Sequence, residues 1–306
     1  MNILFMASGG DSQGMNFCFW QMAKKLFKQN IFICESGLEG LIDNKIKKLD
    51  LKYFSLHKYE SGVCIKTSRS KRFLLQKYQK QAINNLEKND IKKIVMLGGN
   101  GSFLASKELA KHVELCFVPA TIDNDFELTN YCLGHDTAVT NAVEYILQCK
   151  NTLACMSRTG IFEVMGRNSP QLAKNVAQKV DADLLVYQNF VSVKCNYNKN
   201  ILETQNLTIQ SFANILKQIK TKQSSPIIVM QENIFVTGKP FEHELEKLIN
   251  SDITISVIGV IQRGGVPTKT ELLFAKKFAN AVVKNINNSK SFVVIEDNKK
   301  IKIINY

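Results

Sequence analysis

Two glycine-rich turns and one acidic turn carry the residues of this chain whose types and spacing could do chemistry. Ser8-Gly9-Gly10-Asp11 and Gly98-Gly99-Asn100-Gly101-Ser102 let the backbone pass close to a polyphosphate and offer N–H donors with no side chain in the way. Taken separately, each reads more readily as a tight strand-to-helix turn. Neither matches GxxxxGK[ST], which excludes a P-loop nucleotide hydrolase. Thr121-Ile122-Asp123-Asn124-Asp125 sets two carboxylates two residues apart just beyond an apolar run. One could take a proton from an attacking hydroxyl while the other helps hold Mg²⁺ on phosphates, the competing reading being an Asx turn. Arg69, Arg158, Arg167 and Arg263 stand in a chain whose basic residues are mostly lysine. Arginine is the residue suited to planar phosphate recognition and to charge stabilisation during phosphoryl transfer.

The elements that must position these turns show in the hydrophobic pattern. Short apolar runs at 3–7, 94–97, 115–118, 160–164, 184–186 and 227–230 alternate with helical patterns at 16–27, 102–111, 135–149, 171–180, 208–220 and 270–285. Strand, turn and helix repeated in this way predict an α/β fold with parallel sheets covered by helices on both faces. In such sheets ligands bind at the carboxyl ends of strands, where each of the turns above falls, as does Glu163-Val164-Met165-Gly166-Arg167-Asn168. A chain of 306 residues exceeds one compact core. No Pro- or Ser-rich linker interrupts it, so the boundaries are expected in short crossings, giving domains of 1–134 plus 262–306 and of 135–261.

The net charge of +13 would suit nucleic acid or an anionic surface. The lysines are spread along every helical segment without aromatic interleaving or a helix-turn-helix pattern, so no nucleic-acid partner is expected. Eight cysteines, including Cys195, are scattered without a CxxC pair, and the four histidines are isolated, which points to buried thiols and no His/Cys metal centre. No segment is long and apolar enough to span a bilayer, and the first strand lacks the basic flank of a signal peptide; the expected location is the cytoplasm.

At this point the motifs carry a resemblance. SGGDSQGMN, LGGNGS, PATIDND, FEVMGR and GVIQRGG resemble, in order and spacing, the SGGDxxGMN, GGDGS, PGTIDND, VEVMGR and GxIQRGG blocks of 6-phosphofructokinases. The resemblance implies two doubly wound, Rossmann-like domains with the active site in the cleft between them, the first binding nucleotide and the second the sugar phosphate. It implies ATP and Mg²⁺, fructose 6-phosphate as acceptor, and a place in glycolysis. Asp123 would be the base for the sugar 1-hydroxyl, with Thr121 and Asp125 beside it. Met165, Gly166, Arg167 and Glu232 would hold the sugar, and Arg158 and Arg263 its 6-phosphate, Arg158 reaching in from a neighbouring subunit. Gly10, Arg69, Gly99, Asn100, Gly101 and Ser102 would contact the nucleotide, with Asn100 and Asp125 near the metal. A shared site implies at least a dimer, a tetramer being usual in bacterial members.

The departures from the family blocks bear on activity. Asn100 replaces the metal-associated aspartate of GGDGS and loses its charge. Val260 stands where GHIQRGG has a histidine, and Thr254 where a second bridging arginine is expected. Trp20, Lys24 and Leu51 stand at or near an effector pocket that is rich in arginine in bacterial members. Gly101 and Ala120 leave room for a nucleoside where pyrophosphate-using relatives carry Asp and Lys, which favours ATP. The alternative is a catalytically degenerate paralogue that binds nucleotide or joins an active subunit in a hetero-oligomer. Kinases of the diacylglycerol or nicotinamide-cofactor type share GGDG but lack TIDND, MGR and QRGG, and fit less well.

Overall fold

The computed structural model describes residues 1–188, 190–193, 200–203, 207–287 and 290–305. Cys195 lies outside them. The chain divides into two compact units, Met1–Thr137 with Arg263–Tyr306, and Ala138–Gln262.

In the first unit the elements are β1 (Asn2–Ser8), α1 (Met15–Lys25), β2 (Asn30–Cys34), α2 (Gly37–Ile42), β3 (Ile46–Lys48), α3 (Leu51–His57), α4 (Gln76–Lys88), β4 (Lys93–Gly98), α5 (Asn100–Leu109) and β5 (Glu114–Pro119). In chain order α6 (His135–Cys155), β6 (Thr159–Val164), α7 (Gln171–Val180), β7 (Leu184–Tyr187), β8 (Phe190–Val193), β9 (Asn200–Glu203), α8 (Ile209–Lys220), β10 (Ile227–Gln231), α9 (Lys239–Ile249) and β11 (Ile253–Val257) follow. The chain then returns to the first unit with α10 (Lys269–Asn285), β12 (Phe292–Asp297) and β13 (Lys300–Asn305).

The first sheet runs β13-β12-β5-β4-β1-β2-β3. Its central strands are parallel and buried on both faces, which is why they read as continuous apolar runs. The period of two divides each strand between two layers. Ile3, Phe5, Ala7, Val95, Leu97, Cys116 and Val118 pack towards α1 and α10, while Leu4, Met6, Ile94, Met96, Leu115 and Phe117 pack towards α2, α4 and α5. Each large side chain so buried contributes about 1.5–3 kcal/mol, before conformational entropy is subtracted.

The second sheet runs β11-β6-β10-β7-β8-β9, with the first four strands parallel. Ile161, Leu184, Val186, Ile228 and Met230 form one core layer with Phe212, Leu216, Leu245 and Ile249 of α8 and α9.

The parallel sheets carry antiparallel strands at their edges. β3, β13, β8 and β9 pair antiparallel. The β12–β13 turn shows how: Asn298 and Lys299 both take left-handed backbone angles (φ 51° and 66°), as a tight two-residue hairpin requires, and a hairpin returns the strand antiparallel. Lysine at the second turn position hides this signal in the sequence.

Candidate active site

In the first unit three turns meet at the carboxyl ends of β1, β4 and β5. The close approach of the first two requires glycine at Gly98, because a Cβ there would lie 2.6 Å from Ser102 Cβ and 2.6 Å from the Ser8 carbonyl oxygen. Ser102 Oγ donates to that same Ser8 carbonyl at 2.8 Å, tying the β1 and β4 turns together. A Cβ added at Gly99 would touch Thr121 Cβ at 3.4 Å, so the third turn lies against the second. At Gly101, by contrast, nothing lies within 4 Å of the Cβ position, and this residue on the first turn of α5 faces open space. The second turn thus presents the N-terminus of α5, without a side-chain cap and with open space at Gly101, an arrangement suited to phosphate oxygens.

Asp123 is 5% exposed at the apex of the acidic turn, and its N–H donates to Thr121 Oγ1 at 3.2 Å. The next residue, Asn124, is left-handed (φ 48°) and is held from both ends of its amide: Cys132 N donates to its Oδ1 at 2.8 Å and its Nδ2 donates to the Asn130 carbonyl at 3.1 Å. The Ile122 carbonyl lies 2.7 Å from His135 Nδ1. Asp125 is exposed. Asn100 Nδ2 donates to the Asp125 main-chain carbonyl at 3.0 Å, joining the α5 N-terminus to the acidic turn.

Two arginines lie close to the β1 turn. Arg263 Nη1 donates to the Asp11 carbonyl at 2.6 Å and lies 3.7 Å from its carboxylate, with the guanidinium 3.2 Å from where a Gly10 Cβ would be. Gly9 N donates to the Ser68 carbonyl at 3.0 Å and Thr67 Oγ1 donates to the Gly9 carbonyl at 3.1 Å, which brings the loop bearing the exposed Arg69 alongside.

In the second unit the turn after β6 is strongly bent. Gly166 (φ 144°) has no room for a Cβ, which would meet the Ser169 carbonyl oxygen at 2.8 Å, and Arg167 is left-handed (φ 49°). Glu232 Oε1 accepts the N–H groups of Gly166 (3.0 Å) and Arg167 (2.7 Å), and Gln262 Oε1 accepts that of Met165 (2.8 Å). Met165, Gly166, Arg167 and Glu232 therefore form one cluster. Below it, half-burial raises the Glu163 carboxyl above its ordinary range, opposed by Thr237 Oγ1 donating at 2.8 Å.

Arg158 does not join that cluster. It precedes β6, whereas Met165 follows it, so about seven residues of extended chain, roughly 23 Å, separate them within one subunit. Its Nε lies 3.6 Å from Asp252. Val260 is 80% exposed and Thr254 lies within β11. Trp20 is covered by two lysines, with Lys24 and Lys58 nitrogens 5.4 and 5.0 Å from its ring.

Of the residues that pattern reading left without a role, Gln262, His135 and Glu271 stand out, each spending its polar group on the main chain of a site turn or of the segment behind it. Gln262 lies inside the QRGG block. Glu271 carried no such signal, because Thr268-x-x-Glu271 reads as an ordinary helix cap.

A family model for phosphofructokinase matches residues 2–286. The chain belongs to the phosphofructokinase family. It is 33% identical over 296 residues to the ATP-dependent 6-phosphofructokinase of Sulfurimonas denitrificans, covering 94% of this chain and 88% of that one. It is 30% identical to the enzyme of the same name from Staphylococcus epidermidis, covering 94% and 87%. Among solved structures, phosphofructokinase from Saccharomyces cerevisiae superimposes with a TM-score of 0.82 at 22% identity, over 99% of this chain but 44% of the longer yeast chain. The pyrophosphate-dependent phosphofructokinase of Nitrosospira multiformis gives 0.81 at 18% identity, over 99% and 82%. The last two show a shared fold: the parallel-sheet units are those of phosphofructokinases.

Among the described residues no group of three or more His, Cys, Asp or Glu side chains is placed to hold a metal ion. The donors available at the phosphofructokinase turns are two carboxylates open to solvent, Asp11 and Asp125, and the Asn100 amide oxygen. That set fits Mg²⁺ that arrives on phosphates and keeps most of its waters, rather than a resident ion in an all-protein cage.

Proposed function

We propose that this chain is a 6-phosphofructokinase that transfers the terminal phosphoryl group of ATP to the 1-hydroxyl of fructose 6-phosphate, forming fructose 1,6-bisphosphate in glycolysis. The observation that carries the reading is the buried Asp123 carboxyl on a turn braced from both sides, beside two glycine turns, the second of which opens α5 with free space at Gly101. Asp123 takes the proton of the attacking hydroxyl, with Thr121 fixing its backbone. Gly10, Gly99, Gly101 and Ser102 receive the nucleotide phosphates through main-chain donors, and Arg69 offers positive charge to the group in transfer. Asp125 and Asn100 would hold Mg²⁺ arriving with the nucleotide, which would supply charge neutralisation on the phosphates.

On the sugar side Glu232 and the Met165-Gly166-Arg167 turn hold the ring hydroxyls. Arg263 contributes to the 6-phosphate after leaving Asp11, and Arg158 contributes from a neighbouring subunit, its distance from Met165 along β6 supporting that assignment. An oligomer, a dimer or tetramer, follows from a shared site. With Val260 and Thr254 in place of cationic side chains, the sugar phosphate is held weakly and the preference among sugar phosphates shifts. ATP is the donor: the open space at Gly101 accommodates a nucleoside polyphosphate, and the curated relatives named above are ATP-dependent. The chain has no helix among its described residues that is long and apolar enough to cross a membrane, and the metabolites it would use place it in the cytoplasm.

A second reading, a degenerate nucleotide-binding paralogue, is favoured by one observation: Asn100 is neutral and uses its NH₂ on the Asp125 carbonyl, leaving an uncharged amide oxygen as its only contribution to a metal. A coupled assay with Mg²⁺ and fructose 6-phosphate, run with ATP or pyrophosphate and beside a panel of sugar phosphates, separates the two. Turnover with ATP supports the enzyme; nucleotide binding without turnover on any sugar phosphate supports the paralogue.

A further inference from the structure

Glu271 is wholly buried on the first turn of α10, yet it serves that helix only through its backbone, whose N–H donates to Thr268 Oγ1 at 3.1 Å. Its carboxyl group turns away and accepts four hydrogen bonds from one segment. Tyr131 OH (2.9 Å) and Gly134 N (2.8 Å) reach Oε1, and Thr137 N (3.3 Å) and Thr137 Oγ1 (3.1 Å) reach Oε2. That segment is the one that holds the acidic turn. Cys132 N grips Asn124, His135 Nδ1 meets the Ile122 carbonyl, and Leu133 N donates to the Pro119 carbonyl at 3.1 Å. Gly134 (φ 101°) passes so close to the first turn that a Cβ would lie 2.4 Å from Ser12 Cβ. On its other side Glu271 Cγ lies 3.1 Å from the Cβ position of Gly14, at the end of the β1 turn.

We propose that Glu271 is a positioning residue for phosphoryl transfer: by gripping 131–137 and backing Gly14, its carboxyl group sets the Asp123 turn against the nucleotide turn. This rests on the phosphotransfer reading above. An ionised carboxylate can accept all four donors. A protonated one must turn an O–H into a cluster made of donors, so the grip is pH-sensitive. The groups beside it are Tyr131, which bonds it, and Cys132 from the segment, with Asp136 acting on Tyr131 from the first turn of α6; Gly14, just before α1, stands against its Cγ. Burial is the largest influence on the carboxyl and outweighs the four hydrogen bonds, raising its pKa to about 7. Burial and the neighbouring Glu271 charge push Tyr131 upward, and burial does the same to the Cys132 thiol, so neither competes as an anion near neutrality.

The test compares wild type, Glu271→Gln and Glu271→Asp between pH 6 and 8.5. Steady-state kinetics are run with Mg²⁺-ATP and fructose 6-phosphate, with amide hydrogen exchange over 121–137 and thermal melts beside them. Wild-type kcat is expected to rise through an inflection near pH 7. In Glu271→Gln, kcat at pH 8 should fall about ten- to hundredfold and that inflection should vanish, with KM for ATP unchanged, as a small displacement of reacting groups predicts. Glu271→Asp should recover part of kcat and the inflection. The proposal is overturned if Glu271→Gln keeps wild-type kcat and its inflection, or if the loss only tracks the unfolded fraction in the melts. Should the wild type fail to phosphorylate fructose 6-phosphate at all, the phosphotransfer reading falls, and exchange decides the bracing separately: faster exchange over 121–137 in Glu271→Gln supports it, unchanged exchange overturns it.

Discussion

Asn100 Nδ2 donates to the main-chain carbonyl of Asp125 at 3.0 Å, so the neutral side chain that replaces the family aspartate bridges two turns instead of facing a metal alone. Asn100→Asp would place a carboxylate against that carbonyl oxygen. Without ligand the variant should lose one exposed hydrogen bond, about 1 kcal/mol, and melt a few degrees lower. With Mg²⁺ and ATP the lost stability should return, turnover should rise by up to about 10²-fold, and less Mg²⁺ should be needed. Thermal melts with and without Mg²⁺-ATP, beside a Mg²⁺ titration of rate, check both halves.

Asp123→Asn keeps the size and the main-chain contact to Thr121 while removing the proton acceptor. Turnover should drop about 10²- to 10⁴-fold with nucleotide affinity nearly unchanged. Retention of more than half the parent rate would show that another group takes the proton.

At Gly101 an added Cβ would point into open space, with nothing from elsewhere in the fold within 4 Å, so Gly101→Asp should fold with near wild-type stability. Its carboxylate enters the space and field where nucleotide phosphates would sit, and kcat/KM for ATP should fall about 10²-fold or more. Equal ATP kinetics in the variant would place the nucleotide elsewhere.

Because β6 separates Arg158 from Met165 within one chain, a sugar site that uses both needs two subunits. Dilution that splits the oligomer should abolish activity and sugar binding together, followed by analytical sedimentation and rate at matched concentrations. A fully active monomer contradicts the shared site.

Glu271 also gives a sign to stability against pH. Its folded pKa, raised to about 7 by burial, stands above the ordinary carboxylate value of about 4.3 in an unfolded chain. The native state therefore holds the proton more tightly, so this contribution is complete below about pH 4.3 and is lost as pH rises through about 7. Between pH 5 and 8 wild type should lose, relative to Glu271→Gln, on the order of 3 kcal/mol of unfolding free energy. Urea unfolding at the two pH values measures this, and a parallel response of the two proteins would refute it.

The parallel core of both units was legible from the residues alone, because strands buried on both faces must be apolar throughout, as 3–7, 94–97 and 115–118 are. The turns that bear Gly10, Gly98 and Asp123 were legible too, since glycine spacing and paired carboxylates are local signals. The antiparallel edges were not: they depend on hairpins such as Asn298-Lys299, where backbone angles rather than residue types carry the information. Tertiary structure alone decided what the polar groups do. Asn100 bonding Asp125, Arg263 lying on Asp11, and Glu271 gripping Tyr131, Gly134 and Thr137 join residues 25, 252 and more than 130 positions apart. A buried donor or acceptor takes whichever partner the packed fold brings within reach, and no local pattern in the chain specifies that partner.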